Sequence, residues 1–297
     1  MIVIDGMAST GRGLTLVDDL DAGAGGRRRS RISTGFAALD ERIDGLQPFR
    51  MVVAATPSIV ASSTIGLDLV RSAALTQRRP ALFMSSVLGE GEVSSQLVAA
   101  EAGLALKAFR AGVFDQAEQA RVTAARDAVR AAPLVICRDT RGVDFGIGEI
   151  EAAARRAKAE HGVELVVVDN PTLLAESGRD ADVRLDDISH RIKAVASRFS
   201  LAVVITAQLA RPPAARGDTR PRMGDLGKAA LVAEVADTVI LVHLPAEVDP
   251  RSPRIGDAEF FVTKNRHGGM DNPASPFCTP TMVAGYREGY PRFTAPR

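Results

Sequence analysis

"AATPSIVASSTIGLDL" (54–69) begins inside the apolar run "MVVAA" (51–55) and leads into a helical pattern. An apolar strand, a link of small residues and a helix make the setting of a phosphate-binding loop, where backbone N–H groups at the helix start face an anion. The stretch has neither the lysine nor the glycines with which such a loop holds a nucleotide. Two readings stay open at this point: a nucleotide site without its usual chemistry, or a loop of another kind.

Outward from this stretch the texture repeats. Apolar runs occur at 81–86, 133–139, 164–169, 201–206, 237–242 and 258–264. They are continuous instead of alternating, as strands buried on both faces of a parallel sheet are. The segments between them suit helices. Leu185, Ile188, Ile192, Val195, Ala196 and Phe199 fall on one helical face, and "EIEAAARRAKAEHG" (149–162) is rich in helix formers and stops at a glycine. The pattern predicts an α/β domain over 32–294, a mostly parallel central sheet with helices on both faces. Residues 1–31, with "DAGAGGRRRSR", read as a flexible tail or linker, and 295–297 as a short tail. "ARPPAARGDTRPRMGD" (210–225) is a long Pro/Arg/Gly loop inside the domain, and long loops of this kind carry function.

The 297 residues are 46% apolar and 25% charged, with a net charge of +1. That is enough chain for a sizeable core, and the charge gives no general pull toward nucleic acid or membrane, though a local basic channel stays open. Cys137 and Cys278 show no metal-ligand spacing and read as reduced thiols. No signal-peptide core or membrane-length apolar run stands out, so the expectation is a cytoplasmic protein without membrane contact. Five lysines stand against 32 arginines, which points to a GC-rich coding sequence, not to a function. The histidines at 161, 190, 243 and 267 show no metal spacing.

In open α/β sheets ligands sit past the carboxyl ends of the strands. There the sequence places the 54–69 loop, "VLGEGE" after 81–86, Asp169, Gln208, and Lys264 with Arg266. A hydroxyl after one strand and an aspartate ending another is the magnesium-holding layout of a phosphate-loop ATPase. Beyond layout there is a resemblance. "ISTGFAALDERIDGLQPFRMVVAATPS" (32–58), "ELVVVDN" (164–170), "VVITAQLAR" (203–211), "GDLGKAALVAEVADTVILVH" (224–243), "DPRSPRIGDAEFFVTKNRHG" (249–268) and "GYPRFT" (289–294) resemble, in order, the ATPase domain of DnaB-type replicative helicases. The resemblance implies a RecA-like fold, ATP with magnesium as cofactors, a six-subunit ring and ATP-driven movement along single-stranded DNA. The family's helical N-terminal domain finds no counterpart in the residues ahead of the match.

Residue by residue, the resemblance sets Ala61 at the loop's glycine, Ser62 at its lysine, and Ser63 and Thr64 in register, with one extra residue near Ile59 or Val60. Ser58, Ala61, Ser62, Ser63, Thr64 and Asp169 form the implied nucleotide site, and Ser63 with Asp169 the implied magnesium ligands. Val87 falls where the family keeps a water-orienting glutamate, with Glu90 and Glu92 nearby. Gln208 is retained. Lys264 and Arg266 match a pair that reaches a neighbouring subunit's nucleotide. Arg211, Arg216, Arg220, Arg222 and Lys228 are the candidates for DNA contact, expected to be weak. Each residue also has a plain structural reading: Ser63 and Thr64 as helix caps, Asp169 as a turn residue, Glu90 and Glu92 as a solvated helix start, Lys264 and Arg266 as a solvated edge. The resemblance therefore implies a homologue with an impaired nucleotide site, acting as a regulatory or assembly partner in a homo- or hetero-hexamer. Two alternatives stand beside it: an active helicase using substitutes such as Glu90 and Arg71, and a scaffold that binds neither ATP nor DNA.

Overall fold

The computed structural model describes residues 2–3, 15–16, 31–137, 147–170, 181–210, 216–248, 251–254, 256–273, 279–286 and 291–294. The chain divides into two units, Met1–Ser30 and Arg31–Arg297. In the first, β1 (Ile2–Val3) and β2 (Thr15–Leu16) pair antiparallel.

In the second unit all seven apolar runs become strands: β3 (Met51–Thr56), β4 (Ala81–Ser85), β5 (Leu134–Ile136), β6 (Leu165–Asp169), β7 (Ala202–Gln208), β8 (Thr238–His243) and β9 (Asp257–Asn265). Two short strands, β10 (Met282–Tyr286) and β11 (Phe293–Thr294), complete a nine-stranded sheet in the order β11-β10-β9-β8-β3-β7-β6-β4-β5. From β8 to β5 the strands are parallel. The β9–β11 edge is antiparallel.

Helices cover both faces: α1 (Ala37–Ile43), α2 (Ile59–Arg71), α3 (Glu90–Ala102), α4 (Leu106–Ala111), α5 (Gln116–Arg130), α6 (Ile147–His161), α7 (Ala181–Arg198), α8 (Ala229–Val235) and the single turn α9 (Pro245–Val248). The two-residue period of β3 shows why its run is continuous. Val52 and Ala54 pack with Ile65 and Leu69 of α2 and Leu97 of α3 on one face. Met51, Val53 and Ala55 pack with Ile150, Ile192 and Val232 of α6, α7 and α8 on the other. Helix α2 lies so close to the sheet that a Cβ on Gly66 would stand 3.2–3.3 Å from Phe83, Thr206 and Val167, so glycine is what permits the contact. By length and composition alone Ile59–Thr76 would pass for a membrane span, against the expectation above; most of it is buried within the domain.

The chain enters this unit through a strap sewn to the far end of α2. Ile32 and Leu46 exchange backbone bonds of 2.9 and 2.8 Å. The Ser33 amide donates to Gln77 Oε1 at 2.9 Å, and the Ser33 carbonyl accepts from Gln77 Nε2 at 2.9 Å and from Ser72 Oγ at 3.0 Å. Ser72 opens a five-residue π-helical turn, Ser72–Thr76, that prolongs α2.

At the same end Asp68 is buried and accepts from the Phe293 amide at 2.6 Å and from Arg71 Nε at 3.2 Å. Burial pushes its carboxyl up to about 6, against the opposing pull of Arg71 and the Phe293 amide. The folded chain thus holds this proton more tightly than the unfolded chain. The stability tied to it is fully present below the ordinary carboxylate value and is lost as pH rises toward about 6. Urea unfolding at pH 4.5 and pH 7 is expected to show wild type losing about 2 kcal/mol over that interval relative to Asp68→Asn. Equal pH slopes for the two chains would refute the assignment.

Candidate functional site

The carboxyl ends of β3, β4, β6 and β7 converge on Asp169. It is 1% exposed. Its Oδ2 accepts from Ser63 Oγ and Ser85 Oγ, both at 2.7 Å, and its Oδ1 from Thr206 Oγ1 at 2.6 Å. Burial raises its proton affinity, and the three hydroxyls oppose the shift. Ser85 also accepts the amides of Val87 and Leu88 at 3.1 and 2.9 Å, so the carboxylate indirectly fixes the loop after β4. Ser63 and Asp169, the implied magnesium ligands, are thus brought together but bonded to each other.

The link between β3 and α2 is two residues, Pro57 and Ser58. Ile59 and Val60, expected around an insertion in a longer loop, instead form the first turn of α2. Ser58 caps that turn, its Oγ accepting from the Ala61 amide at 3.3 Å and donating to Glu247 Oε1 at 3.0 Å. So short a link cannot wrap backbone amides around a phosphate chain.

Ser62, at the implied lysine position, is wholly buried. Its hydroxyl donates to the Ala207 carbonyl at 2.8 Å and lies 3.1 Å from Thr56 Oγ1. Thr64 turns back on its own helix, donating to the Val60 carbonyl at 2.9 Å. Gln208 stands at the mouth with Nε2 3.3 Å from the Pro57 carbonyl. Val87 is half-buried, Glu90 is exposed at the start of α3, and Glu92 closes that helix's first turn by accepting the Gly89 amide at 3.0 Å. Arg71, the other suggested substitute, is at the opposite end of α2, paired with Asp68 and Glu101. These residues do not fit a magnesium nucleotide: the carboxylate is filled by protein hydroxyls, the helix end is capped, and no lysine is at hand among the described residues of the site.

Lys264, in β9, and Arg266, just past it, lie at the opposite end of the strands. Asn265 pairs with Thr238 at the start of β8, beside Val52 near the start of β3. They are therefore about one strand length, ~15–20 Å, from the β3–α2 link of their own chain. Lys264 Nζ donates to the carbonyls of Ala233 and Glu234 at 2.9 and 2.7 Å, closing the end of α8. Burial and the neighbouring Arg266 lower its pKa. Arg266 is 51% exposed, with its guanidinium 3.8 Å from Asp237, which is held by Lys193 and the Met51 amide.

Two of the five candidate DNA contacts are engaged within the fold. Arg216 forks onto Asp225 at 2.9 and 2.7 Å, and Arg220 is bound to Asp218. Arg222 is half-buried, Lys228 is exposed at the start of α8, and Arg211 lies outside the described residues. Among the histidines, His243 is buried 2.8 Å from Glu259, while 161, 190 and 267 are exposed. Cys137 is half-buried and Cys278 lies outside the described residues. Among the described residues no three metal-binding side chains cluster.

Three participants were not anticipated. Ser85 ends β4 and Thr206 lies two residues before the end of β7, hydroxyls that carry no signal by themselves. Glu247 is 189 residues from Ser58 and carries no local signal at all.

The family described as DnaB-like helicase C terminal domain matches residues 31–281. The replicative DNA helicase DnaB of Leifsonia xyli subsp. xyli is 31% identical over 265 residues, 88% of this chain and 55% of the relative. That of Mycobacterium leprae is 32% identical over 209 residues, 70% of this chain and 34% of the relative. The chain thus spans between a third and about half of the length of these curated relatives. Among solved structures, a DnaB-like replicative helicase described with its primase interactions superposes with TM-score 0.79 at 17% identity, over 94% of this chain and 64% of that one. A second solved structure, described as an ATPase domain, superposes with TM-score 0.78, also at 17% identity, over 91% of this chain and 92% of that one.

Proposed function

We propose, from the premise that the chain belongs to the DnaB-like helicase C-terminal domain family, that it is a member with an impaired nucleotide site, serving replication as a regulatory or assembly partner and not as a motor. The observation that carries this reading is the two-residue link between β3 and α2, capped by Ser58, where a phosphate-binding loop would need length, glycine and lysine. The filled Asp169 supports it. Losing one electrostatic contact at a transferring phosphoryl costs about 3–4 kcal/mol in the barrier, and here both the lysine and the water-orienting glutamate positions are altered. Calorimetric titration with magnesium-ATP, run beside phosphate release, is expected to show no binding in the micromolar range and no turnover. Turnover near about 1 per second, the low end for ordinary enzymes, would overturn the reading in favour of an active helicase. The use of Arg216 and Arg220 inside the fold leaves a strong grip on DNA outside this proposal.

The position of Arg266 favours a more specific role. It is half-exposed at the end of the strands opposite the β3–α2 link of its own chain, 3.8 Å from Asp237, and that distance from its own link supports a role toward another subunit. In the resembled helicases such a group acts on a neighbour's nucleotide, and a finger of this type contributes about 10³–10⁵ in rate. The proposed partner is therefore a family member with an intact loop, in a ring or part of one. Mixed with an active DnaB-type helicase from the same cell, the wild-type chain is expected to co-assemble and alter ATP turnover, and Arg266→Ala to co-assemble without that effect. Identical effects from the two chains, or no association at micromolar concentration, would eliminate the role.

A further inference from the structure

At the rear of α2, one helix length (~20 Å) from the β3–α2 link, lies a cavity of about 340 Å³. That is the lower end of the range of small-molecule pockets. Three parts of the chain meet around it: Thr34–Phe36 of the entry strap, Asp68 and Arg71 of α2, and Arg292–Thr294 at the last strand. Its apolar walls are Phe36 and Phe293. Both rings lean on Phe260, with centroids 5.8 and 5.5 Å away, and Phe260 is fully buried, so the core sets the walls. The charged groups differ in how far they are used. Asp68 accepts from Arg71 Nε and the Phe293 amide. Arg71 gives Nε to Asp68 and Nη1 to Glu101, and its Nη2 makes no hydrogen bond among the described residues. Arg292 is half-buried and makes no hydrogen bond or ion pair among the described residues. Other partly buried arginines of the domain each grip a carboxylate: Arg42 has Asp271, Arg79 has Glu164, Arg216 has Asp225 and Arg220 has Asp218. At Arg292 a fork of five donors faces a cavity without an anion to match it.

We infer that this cavity is a binding site for a small organic anion, a carboxylate or phosphate monoester on a flat apolar body. The anion is held by Arg292 and Arg71 Nη2, and the body lies against Phe36 and Phe293. Two guanidiniums repel a cation, and a neutral guest of the same shape leaves the donors of Arg292 unmatched. Asp68 adds a proton to the binding. Burial already holds its carboxyl at about 6. An anion beside it disfavours the ionised form further, so binding takes up a proton and is tighter below about 6 than above. The charged groups around Asp68 are Arg71 on its own helix, Arg292 ahead of β11 and, through Arg71, Glu101 on α3. On the strap side Asp40 of α1 is engaged by the amide and hydroxyl of Thr34, each at 2.8 Å. The inference does not depend on the state of the nucleotide site, which lies at the other end of α2.

The test is calorimetric titration of the whole chain at pH 7 with benzoate and with phenyl phosphate, and with benzyl alcohol as the neutral analogue. Wild type is expected to bind at least one anion with Kd at or below about 1 mM, and the alcohol at least about tenfold more weakly. The tighter of the two anions tells a carboxylate site from a phosphate site. Arg292→Gln is expected to weaken that binding at least about tenfold, with urea unfolding unchanged. Benzenesulfonate keeps its charge across the range and isolates the proton. Wild type is expected to bind it about threefold or more tightly at pH 5.5 than at pH 7.5, and Asp68→Asn, which keeps an acceptor for the Phe293 amide, to bind it equally at both. No saturable binding of either anion by wild type up to about 10 mM overturns the inference. So does equal affinity in wild type and Arg292→Gln, which would place binding elsewhere, or benzyl alcohol binding as tightly as the anions. Wild-type affinity for benzenesulfonate that is the same at both pH values overturns it as well, since an anion in this cavity must feel the charge of Asp68.

Discussion

Ser62→Lys, which writes the missing lysine back into α2, is expected to cost about 3–5 kcal/mol of stability and to restore no ATP turnover. The position looks inward. Ser62 is 0% exposed, its hydroxyl bonded to the Ala207 carbonyl and close to Thr56 between the ends of β3 and β7. A lysine there would press four methylenes into close-packed surroundings and bring an ammonium to a place where the hydrogen-bond partners of the replaced serine include no carboxylate. It would also remove the hydrogen bond that Ser62 donates to the Ala207 carbonyl. Denaturant unfolding and phosphate release measure the two halves of the expectation. A Ser62→Lys chain as stable as wild type that gained magnesium-ATP binding would mean that the first turns of α2 rewind into a loop with residue 62 facing out.

Asp169→Ala is expected to cost at least about 3 kcal/mol, although in a working phosphate-loop enzyme the equivalent change would act chiefly on turnover. Here the carboxylate is the acceptor for three buried hydroxyls, Ser63, Ser85 and Thr206. Each donor left without an acceptor costs about 1–3 kcal/mol, less where the hydroxyl can swing to another partner. The Ser85 hydroxyl is already engaged by the amides of Val87 and Leu88, so the loss extends to the loop after β4. Asp169→Asn keeps one acceptor oxygen and should fall between wild type and alanine. Urea unfolding of the three chains provides the comparison. A penalty below about 1 kcal/mol for Asp169→Ala would show that the hydroxyls find other partners and that the carboxylate is not structural.

The sheet was legible because a parallel strand buried on both faces cannot help being a continuous apolar run. Seven such runs gave seven strands, and the two-sided packing of β3 shows the cause. The antiparallel edge was less legible, since β10 and β11 are short, with Gly285 inside one and only two residues in the other. At the site, Ser63 and Asp169 could be paired in advance because the resemblance aligned them across 106 residues. The start of α2 was less legible: Ser63 and Thr64 were the cap candidates, but Ser58 caps the helix and both lie inside it. The engagement of Lys264 with the end of α8 and of Arg216 with Asp225 depends on tertiary proximity that no spacing in the chain announces.

The stitching of Ser33 to Ser72 and Gln77 has a mechanical consequence. Helix α2, 13 residues and so ~20 Å long, is a stiff rod. One of its ends is sewn, through the π turn, to the point where the chain enters the domain. Tension on the polypeptide ahead of Arg31 is therefore delivered to the rod's rear without first crossing the sheet. Its front is pinned as well, Ser58 to Glu247. An element clamped at both ends behaves as a strut: it passes load along its axis but has no stroke of its own.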